Sequence, residues 1–171
     1  MNIFRLVQPS IEHEKQYENM MDEWEAYGGR LNPGALRRYS FSQKRKVYYK
    51  EWLKWIDDDR NAGQELFFFT NDKIILGAVS IRPKKNAKNI GLDGHIGFGI
   101  RPSERNKGYA TKMLSMALPI IKNYGIDQAI ITCDKENIDS SKVIQNNGGI
   151  LKSEVVGEGT GNIVQVYYIQ L

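Results

Sequence analysis

The segment from Gly94 to Ile121 constrains the fold of this chain more than any other stretch of its sequence. "GHIGFGI" is a short, apolar, glycine-rich run, which is typical of a central strand that another group approaches closely. The charged turn "RPSERNKG" follows it, and apolar residues then recur at helical spacing from Ala110 onward. Pro119 is expected to bend this helix and Gly125 to end it. The segment therefore predicts a strand, a glycine-containing turn and a long helix in succession.

The same rules divide the rest of the chain into strands and helices. Helices are predicted from Ser10 to Tyr27, over residues 44–59 and within residues 137–149. Further strands are predicted at "IFRLVQ", "ELFFFT", "KIILGAVSIR", "QAIITC", "ILKSEVV" and "NIVQVYYIQL". Because the chain has no internal repeat and no low-complexity linker, residues 1–171 are predicted to form one mixed α/β domain.

Composition narrows the classes of function. A net charge of +4 is mild, and it suits a polyanionic ligand such as a nucleotide cofactor without requiring one. The single cysteine, Cys133, excludes an internal disulfide and suits a reducing cytoplasm. No apolar run approaches the roughly 18 residues of a membrane helix, and His13, His95 and Cys133 lack the spacing of metal ligands. We therefore expect a cytoplasmic protein with no membrane segment and no metal.

The turn before the long helix has the features of an anion-binding site. A helix that starts after a glycine exposes unpaired backbone N–H groups and the positive end of its dipole. Gly108 allows a ligand to approach the backbone, Ala110 keeps the next turn narrow, and Arg105 and Lys107 add positive charge. These features suit a pyrophosphate, and a purely structural helix start is the alternative. The spacing does not fit the loops that bind nucleoside triphosphates or dinucleotides.

The segments "GHIGFGIRPSERNKGYATKML" and "ITCDKENIDSSKVIQNNGG" resemble the core of the GNAT superfamily of N-acetyltransferases. The most specific match is to the family's Arg/Gln-x-x-Gly-x-Gly/Ala loop, and the nearest likeness is to a bacterial subgroup of uncharacterised acetyltransferases. The resemblance implies a single GNAT-like domain. Its central sheet would be mixed, mostly antiparallel and splayed between the fourth and fifth strands, with helices on both faces. It also implies an enzyme that moves an acetyl group from acetyl-CoA to a primary amine of a small molecule or peptide, by direct attack in a ternary complex.

The resemblance also implies which residues hold acetyl-CoA. The backbone of Phe98, Gly99 and Ile100 would bond to the pantetheine arm between the splayed strands, and a backbone N–H there would polarise the thioester carbonyl. Asn137 matches an asparagine that contacts the cofactor in the family, and its alternative role is a helix cap. The pyrophosphate would be bound by the loop residues Arg105, Asn106, Lys107, Gly108, Tyr109, Ala110 and Thr111.

Two positions depart from the family pattern in ways that concern catalysis. Many members carry a tyrosine seven residues after the asparagine, as the acid that protonates the leaving thiolate, and here that position is Ile144. Loss of the acid should slow the reaction and not abolish it, because a thiol with a pKa near 8.5 leaves readily. The side chains that could replace it are Cys133, Ser141, Tyr167 and Tyr168.

The second departure concerns the general base. By motif spacing, the glutamate that many relatives carry on the fourth strand is Gly94 in this chain. His95 is the first candidate to replace it, because histidine has the most suitable intrinsic pKa. Adjacent residues of a strand face opposite sides, so this role requires a bulge at Gly94 or Gly97, and a structural role for His95 is the alternative. Asp93 is the second candidate.

Other functions and partners are weaker expectations. A GNAT-like domain that binds acyl-CoA or a partner without turnover is the main alternative, because the usual acid and base are both replaced. A basic run made of Arg37, Arg38, Lys44, Arg45 and Lys46 raises nucleic acid as a partner, but a solvated surface explains it better. A homodimer is compatible with the fold. The residues suggested as walls of the acceptor pocket, with core packing as the alternative, are Trp24, Tyr27, Trp52 and Tyr168.

Overall fold

The computed structural model describes residues 3–40, 45–71, 73–83, 94–157 and 161–171. Short 3-10 turns at Ile11–His13, Gly34–Leu36 and Pro102–Glu104 separate the main elements. These elements are β1 (Arg5–Val7), α1 (Glu14–Tyr27), β2 (Tyr39–Ser40), β3 (Arg45–Lys46), α2 (Tyr49–Asn61), β4 (Glu65–Thr70), β5 (Ile75–Ile81), β6 (Ile96–Ile100), α3 (Tyr109–Asn123), β7 (Gln128–Asp134), α4 (Ile138–Asn146), β8 (Ile150–Val156) and β9 (Ile163–Gln170).

The sequence prediction is wrong at the start of the second helix. The helix was expected over residues 44–59, but α2 begins at Tyr49 and ends at Asn61. The preceding residues Arg45–Lys46 form β3, which pairs antiparallel with β2. A strand pair between segments close in sequence overrides the helical pattern there, since propensity is weaker than hydrogen-bonded pairing. Within α2, Tyr49, Trp52 and Ile56 are buried at helical spacing and form its apolar face.

Apart from the short β2-β3 pair, the described strands form two sheets that part between β6 and β7, the predicted fourth and fifth strands. One sheet has the order β1-β4-β5-β6 and the other β7-β9-β8, and their registered pairs are antiparallel. The sheets are joined at His95, whose N–H donates to the Ile130 carbonyl at 2.7 Å. The Ile130 N–H donates in return to His95 Nδ1 at 2.9 Å. Beyond this junction the strands belong to separate sheets, which confirms the predicted splay.

Helices cover both faces of the larger sheet, as predicted. The alternating residues of β4 separate two cores, because successive side chains of a strand point to opposite faces. Leu66 and Phe68 pack with the apolar faces of α1 and α2, and the Trp52 and Tyr17 rings stack there with centroids 4.3 Å apart. Phe67 packs in the other core, which contains the buried faces of α3 and α4.

A buried arginine fixes the segment that follows α1. The Arg38 side chain is 2% exposed, and it donates to three carboxylates of α1. Its Nη2 lies 2.6 Å from Asp22 Oδ1, its Nε lies 2.7 Å from Glu25 Oε1, and its Nη1 contacts Glu18. These hydrogen bonds lower the pKa of both Asp22 and Glu25 below the ordinary value. Arg38 therefore belongs to this network, which removes it from the basic run considered for nucleic acid.

This network predicts a specific loss of stability in acid. Because Arg38 depresses the pKa of Asp22 and Glu25 in the folded state, their contribution is present at neutral pH. It is lost as pH falls below about 5 and through the folded pKa values. We expect the free energy of unfolding, measured by urea titration from pH 7 to pH 3, to fall less steeply for Arg38→Met than for the unchanged protein. Lys54→Met, at an exposed position of α2, is the control and should keep the original slope. Equal slopes for all three proteins would contradict the conclusion that Arg38 lowers the pKa of Asp22 and Glu25.

Candidate functional site

The turn predicted to bind an anion adopts an unusual backbone conformation. Asn106 and Gly108 have φ values of 60° and 76°, in the left-handed region, and α3 begins at the next residue, Tyr109. A Cβ built on Gly108 would meet no atom within 4 Å, so the backbone conformation, and not crowding, requires glycine there. The Tyr109 ring packs against Phe4 at a centroid distance of 5.3 Å. Because no atom lies within 4 Å of a Cβ at Gly108, the backbone at the start of α3 faces open space.

Helix α1 braces this turn through a buried ion pair. Arg101 is 6% exposed and contacts the Glu23 carboxylate, and its Nη2 donates to Asn19 Oδ1 at 2.7 Å. The Ser103 N–H donates to the other Glu23 oxygen at 2.7 Å. Burial alone would raise the pKa of Glu23, but hydrogen bonds from Arg101 and Ser103 bring that pKa below its ordinary value. Glu23 is therefore a charged anchor for the turn.

Two cations that the sequence assigns to the turn have different surroundings. The Arg105 guanidinium lies 4.8 Å from the Tyr27 ring centroid, and its Nε donates to the Ile100 carbonyl at 3.1 Å. Lys107 forms an ion pair with Glu104 at 3.0 Å on the surface. Arg105 is thus positioned beside the end of β6, whereas Lys107 is directed to its own turn.

The hydrogen-bond alternation of β6 shows which backbone groups face the opening between the sheets. Just outside the two ends of β6, the Arg101 N–H donates to the Leu76 carbonyl and the His95 carbonyl accepts the Arg82 N–H. Because hydrogen bonding to one neighbour alternates along an antiparallel strand, the odd-numbered residues of β6 bond to β5. The backbone groups of Phe98 and Ile100 therefore point to the opening. Those of Gly99 point to β5, so its predicted hydrogen bond to a ligand does not agree with this geometry.

The segment after α1 lies across the open edge of β6. Asn32 Nδ2 donates to the Phe98 carbonyl at 2.9 Å. A Cβ on Gly99 would stand 2.0 Å from the Asn32 carbonyl oxygen, so this close approach requires glycine at residue 99. Nothing in the sequence motif indicated Asn32, because its role depends on a contact between residues distant in sequence.

A cavity of about 390 Å³ lies between this edge and the start of α3. Trp24 lines it, and its indole Nε1 is buried with no hydrogen-bond partner among the described residues. Of the residues predicted to hold the cofactor, Lys107 does not line this cavity. The others do, namely Phe98, Gly99, Ile100, Arg105, Asn106, Gly108, Tyr109, Ala110, Thr111 and Asn137.

A larger cavity of about 890 Å³ adjoins the first. It is bounded by the segment after α1, the ends of β4, β5 and β7, and Gly157 and Asn162 between β8 and β9. Arg30 pairs with Asp134 at 3.0 Å on its wall, and Arg82 is held over its floor by the Ser80 hydroxyl at 3.0 Å. The residues shared by both cavities are Arg30, Asn32, Phe98, Asn137 and Ser140.

Asn137 combines the two roles that the sequence left open. Its side-chain oxygen accepts the Ser140 N–H at 3.1 Å, so it caps α4. It also lines both cavities at the point where they meet. Ser140 lies at the same junction.

The predicted base candidates are placed as follows. The His95 side chain is 3% exposed and lines neither cavity, and its Nδ1 accepts the Ile130 N–H, which favours the structural role. The registered pairing of β5 with β6 has no shift at Gly97, so no bulge is present there. Gly94, with φ of 62°, precedes β6. Asp93 lies outside the described residues.

The acid candidates differ in their access to the cavities. Ser141 and Tyr167 are buried, and their hydroxyl oxygens lie 2.8 Å apart. Tyr168 is half-buried in β9 and lines neither cavity, whereas Cys133 lines the larger one. Burial, with a smaller effect of the Asp134 carboxylate, raises the pKa of the Cys133 thiol to about 11. Ile144 is fully buried in the core.

The aromatic residues suggested as walls of an acceptor pocket have separate locations. Trp52 is 1% exposed within the core, which agrees with the core-packing alternative. Trp24 lines the smaller cavity, and Tyr27 lies beneath Arg105. None of these aromatic residues lines the larger cavity.

The described ranges contain neither a metal-binding cluster nor a membrane-spanning helix. There, no cluster of three or more His, Cys, Asp and Glu side chains is arranged to bind a metal ion. None of the helices described is both long enough and apolar enough to span a bilayer.

Comparison with protein families identifies the class of this chain. Residues 5–150 match the acetyltransferase (GNAT) domain model. The chain therefore belongs to the GNAT family of acetyltransferases, which confirms the resemblance read from its sequence. A comparison with curated proteins finds no match.

Solved structures share the fold at low sequence identity. Microcin C7 self-immunity acetyltransferase MccE, in complex with acetyl-CoA and AMP, has a TM-score of 0.70 and 16% identity over 98% of this chain and 92% of its own. RimJ of Mycobacterium smegmatis, in complex with CoA-disulfide, has a TM-score of 0.75 and 15% identity over 98% and 81%. A spermidine N-acetyltransferase SpeG chimera from Vibrio cholerae and hSSAT has a TM-score of 0.66 and 14% identity over 98% and 95%.

The raised pKa of Cys133 predicts an unreactive thiol. At pH 8 a thiol of pKa about 11 has a thiolate fraction on the order of 10⁻³, against about 0.2 for an ordinary cysteine. We expect iodoacetamide to alkylate the folded protein roughly two orders of magnitude more slowly than the same chain unfolded in urea. Mass spectrometry over time measures both rates on the single cysteine. Equal rates for the folded and unfolded chain would show that folding neither shields the thiol nor raises its pKa.

Proposed function

We propose that this chain transfers an acetyl group from acetyl-CoA to a primary amine of a small molecule or peptide, by direct attack in a ternary complex. The observation that carries the proposal is the smaller cavity, which joins the Gly108 turn to the open edge of β6 and shares five lining residues with the larger cavity. Family membership supports the same chemistry. Acetyl-CoA would occupy the smaller cavity and the amine the larger one, and Phe98 lines both.

The residues of the smaller cavity fit acetyl-CoA. Backbone N–H groups from Gly108 to Thr111, at the positive end of α3, suit a diphosphate. The outward N–H groups of Phe98 and Ile100 suit the carbonyl oxygens of an extended pantetheine arm. The buried indole N–H of Trp24 supplies a further donor beside the cleft. When bound, acetyl-CoA supplies an activated acyl group as a thioester.

The chain would aim and activate this acyl group with its backbone. A donor at Phe98 or Ile100, fixed by the sheet, would stabilise charge that develops on the carbonyl oxygen. The acceptor amine would reach the carbon from the larger cavity, past the residues shared by both. His95 and Asp93 as base, and Tyr168 as acid, stay predictions. Cys133, among the acid candidates, lines the larger cavity and not the cavity assigned to acetyl-CoA.

A binding module without turnover is the second candidate. Its support is Ile144, which occupies the position of the family's acid and is fully buried. The burial of His95 in a bond to Ile130 adds to that support. Both candidates predict that acetyl-CoA binds, and they differ in whether an amine is acetylated.

Replacement of Gly108 tests the cofactor turn. Alanine there adds strain of about 1–2 kcal/mol at a φ of 76° and places a methyl group in the space intended for the diphosphate. We expect Gly108→Ala to weaken acetyl-CoA binding by at least about tenfold in calorimetry. Gly125→Ala is a matched control, because residue 125 has φ of 78°, equally open surroundings, and lies at the other end of α3. An equal loss in both variants, or no binding by the unchanged protein up to millimolar acetyl-CoA, would refute the site.

A panel of amines separates the enzyme from the binding module. We expect thiol release from acetyl-CoA, followed with a thiol reagent, to rise above the hydrolysis rate with at least one amine. The panel should include polyamines, amino sugars and peptides with free N-termini, because proteins of similar fold include a spermidine N-acetyltransferase and a ribosomal alpha-N-protein acetyltransferase. Tight binding of acetyl-CoA with no release above hydrolysis for any amine would favour the binding module.

A further inference from the structure

The exposed Asn32 side chain stands where the two cavities meet. It lines both of them, and its Nδ2 donates to the Phe98 carbonyl at 2.9 Å. Because a carbonyl oxygen only accepts hydrogen bonds, this contact decides which end of the Asn32 amide faces β6. The amide oxygen Oδ1 is therefore turned away from that contact. It has no hydrogen-bond partner among the described residues.

The segment that carries Asn32 is held by buried aromatic side chains. The Trp52 indole Nε1 donates to the Ala35 carbonyl at 2.9 Å. The Tyr17 hydroxyl donates to the Leu36 carbonyl at 2.8 Å. Both rings lie in the core, where neither is more than 1% exposed. Because these donors fix the backbone on one side and β6 holds the amide on the other, Asn32 is positioned before a substrate arrives.

The anchored amide lies next to the backbone donor assigned to the thioester. The N–H and the C=O of Phe98 both point to the opening, because bonded and outward-facing residues alternate along an antiparallel strand. Asn32 binds this carbonyl and leaves the N–H of the same residue for an acyl oxygen. Its Oδ1 and Nδ2 share one carbon, so Oδ1 stands on the order of 2 Å from the anchored nitrogen. An amine bonded to Oδ1 would thus lie beside a thioester bound at the Phe98 N–H.

The chemistry of amine attack suits an uncharged acceptor at this place. As the C–N bond forms and the C–S bond breaks, the electron pair leaves with the sulfur and positive charge develops on the nitrogen. A fixed carbonyl dipole that accepts an N–H of this nitrogen stabilises that charge and directs the lone pair at the acyl carbon. An amide oxygen is too weak a base to keep the proton, which passes through solvent water to the departing thiolate.

We propose that Asn32 holds the acceptor amine during the transfer. Its Nδ2 stays on the Phe98 carbonyl, while its Oδ1 accepts an N–H of the attacking nitrogen. This role rests on the proposed function, because it requires the amine in the larger cavity and the thioester at the N–H of Phe98. The neutral side chain at the junction of the cavities would thereby select acceptors that bring an N–H donor to the acyl carbon.

Two substitutions of Asn32 test the two ends of its amide. Asn32→Ala removes both ends, whereas Asn32→Asp keeps an oxygen in the same shape but cannot donate to the Phe98 carbonyl. With the amine of the panel that the unchanged protein acetylates fastest, we expect kcat to fall at least about tenfold in each variant, because the amine is no longer held against the acyl carbon. Calorimetry should give a Kd for acetyl-CoA within about threefold of the unchanged value, since the Phe98 N–H and the Gly108 turn remain.

The affinity for acetyl-CoA separates this role from a structural one. A displaced segment would disturb both cavities and weaken acetyl-CoA binding together with kcat. Asn123→Ala, at the exposed last residue of α3, is the control and should leave both values unchanged. Full kcat in either Asn32 variant, or a loss of acetyl-CoA binding in parallel with kcat, would overturn the role of Asn32 and leave the proposed function standing. Failure of the unchanged protein to acetylate any amine would overturn both.

Discussion

The candidate site depends on one junction, the hydrogen bonds between His95 and Ile130 that hold the two sheets together at the start of β6. Because the strands are tied there and separate beyond it, β6 has one edge bonded to β5 and another that faces a cleft. Gly94 allows this junction, since a Cβ there would stand 2.8 Å from the Ile130 carbonyl oxygen. A paired β6 would have no backbone donors for a ligand, so the parting of the sheets creates the site.

Helix α1 holds the parts of the site that the sheets do not. Glu23 binds Arg101 and the Ser103 N–H at the cofactor turn, and Tyr27 supports Arg105. The carboxylates around Arg38 fix the segment that contains Asn32 and walls both cavities. One helix thus positions both the Gly108 turn and the segment that borders both cavities.

The sequence predicted the local elements well and the long-range contacts poorly. Periodicity located α1 and the strands other than the short β2 and β3, and the Gly108 turn was found because its glycine and flanking cations are adjacent in the chain. Asn32 could not be found, because its contact with Phe98 joins residues 66 apart in sequence. The direction of the Gly99 backbone groups could not be predicted either, because it depends on the pairing of β6 with β5. No local sequence pattern sets the register of that pairing. The sequence suggested His95 as the general base because of the intrinsic pKa of histidine, but the fold buries it in the junction between the sheets.

The most direct test of the account is a crystal structure of the protein with acetyl-CoA. The account predicts the pantetheine arm along β6, with its oxygens within hydrogen-bond distance of the Phe98 and Ile100 nitrogens, and the diphosphate at the backbone of Gly108 to Thr111. Acetyl-CoA bound elsewhere, or a β6 edge closed against β7, would contradict it.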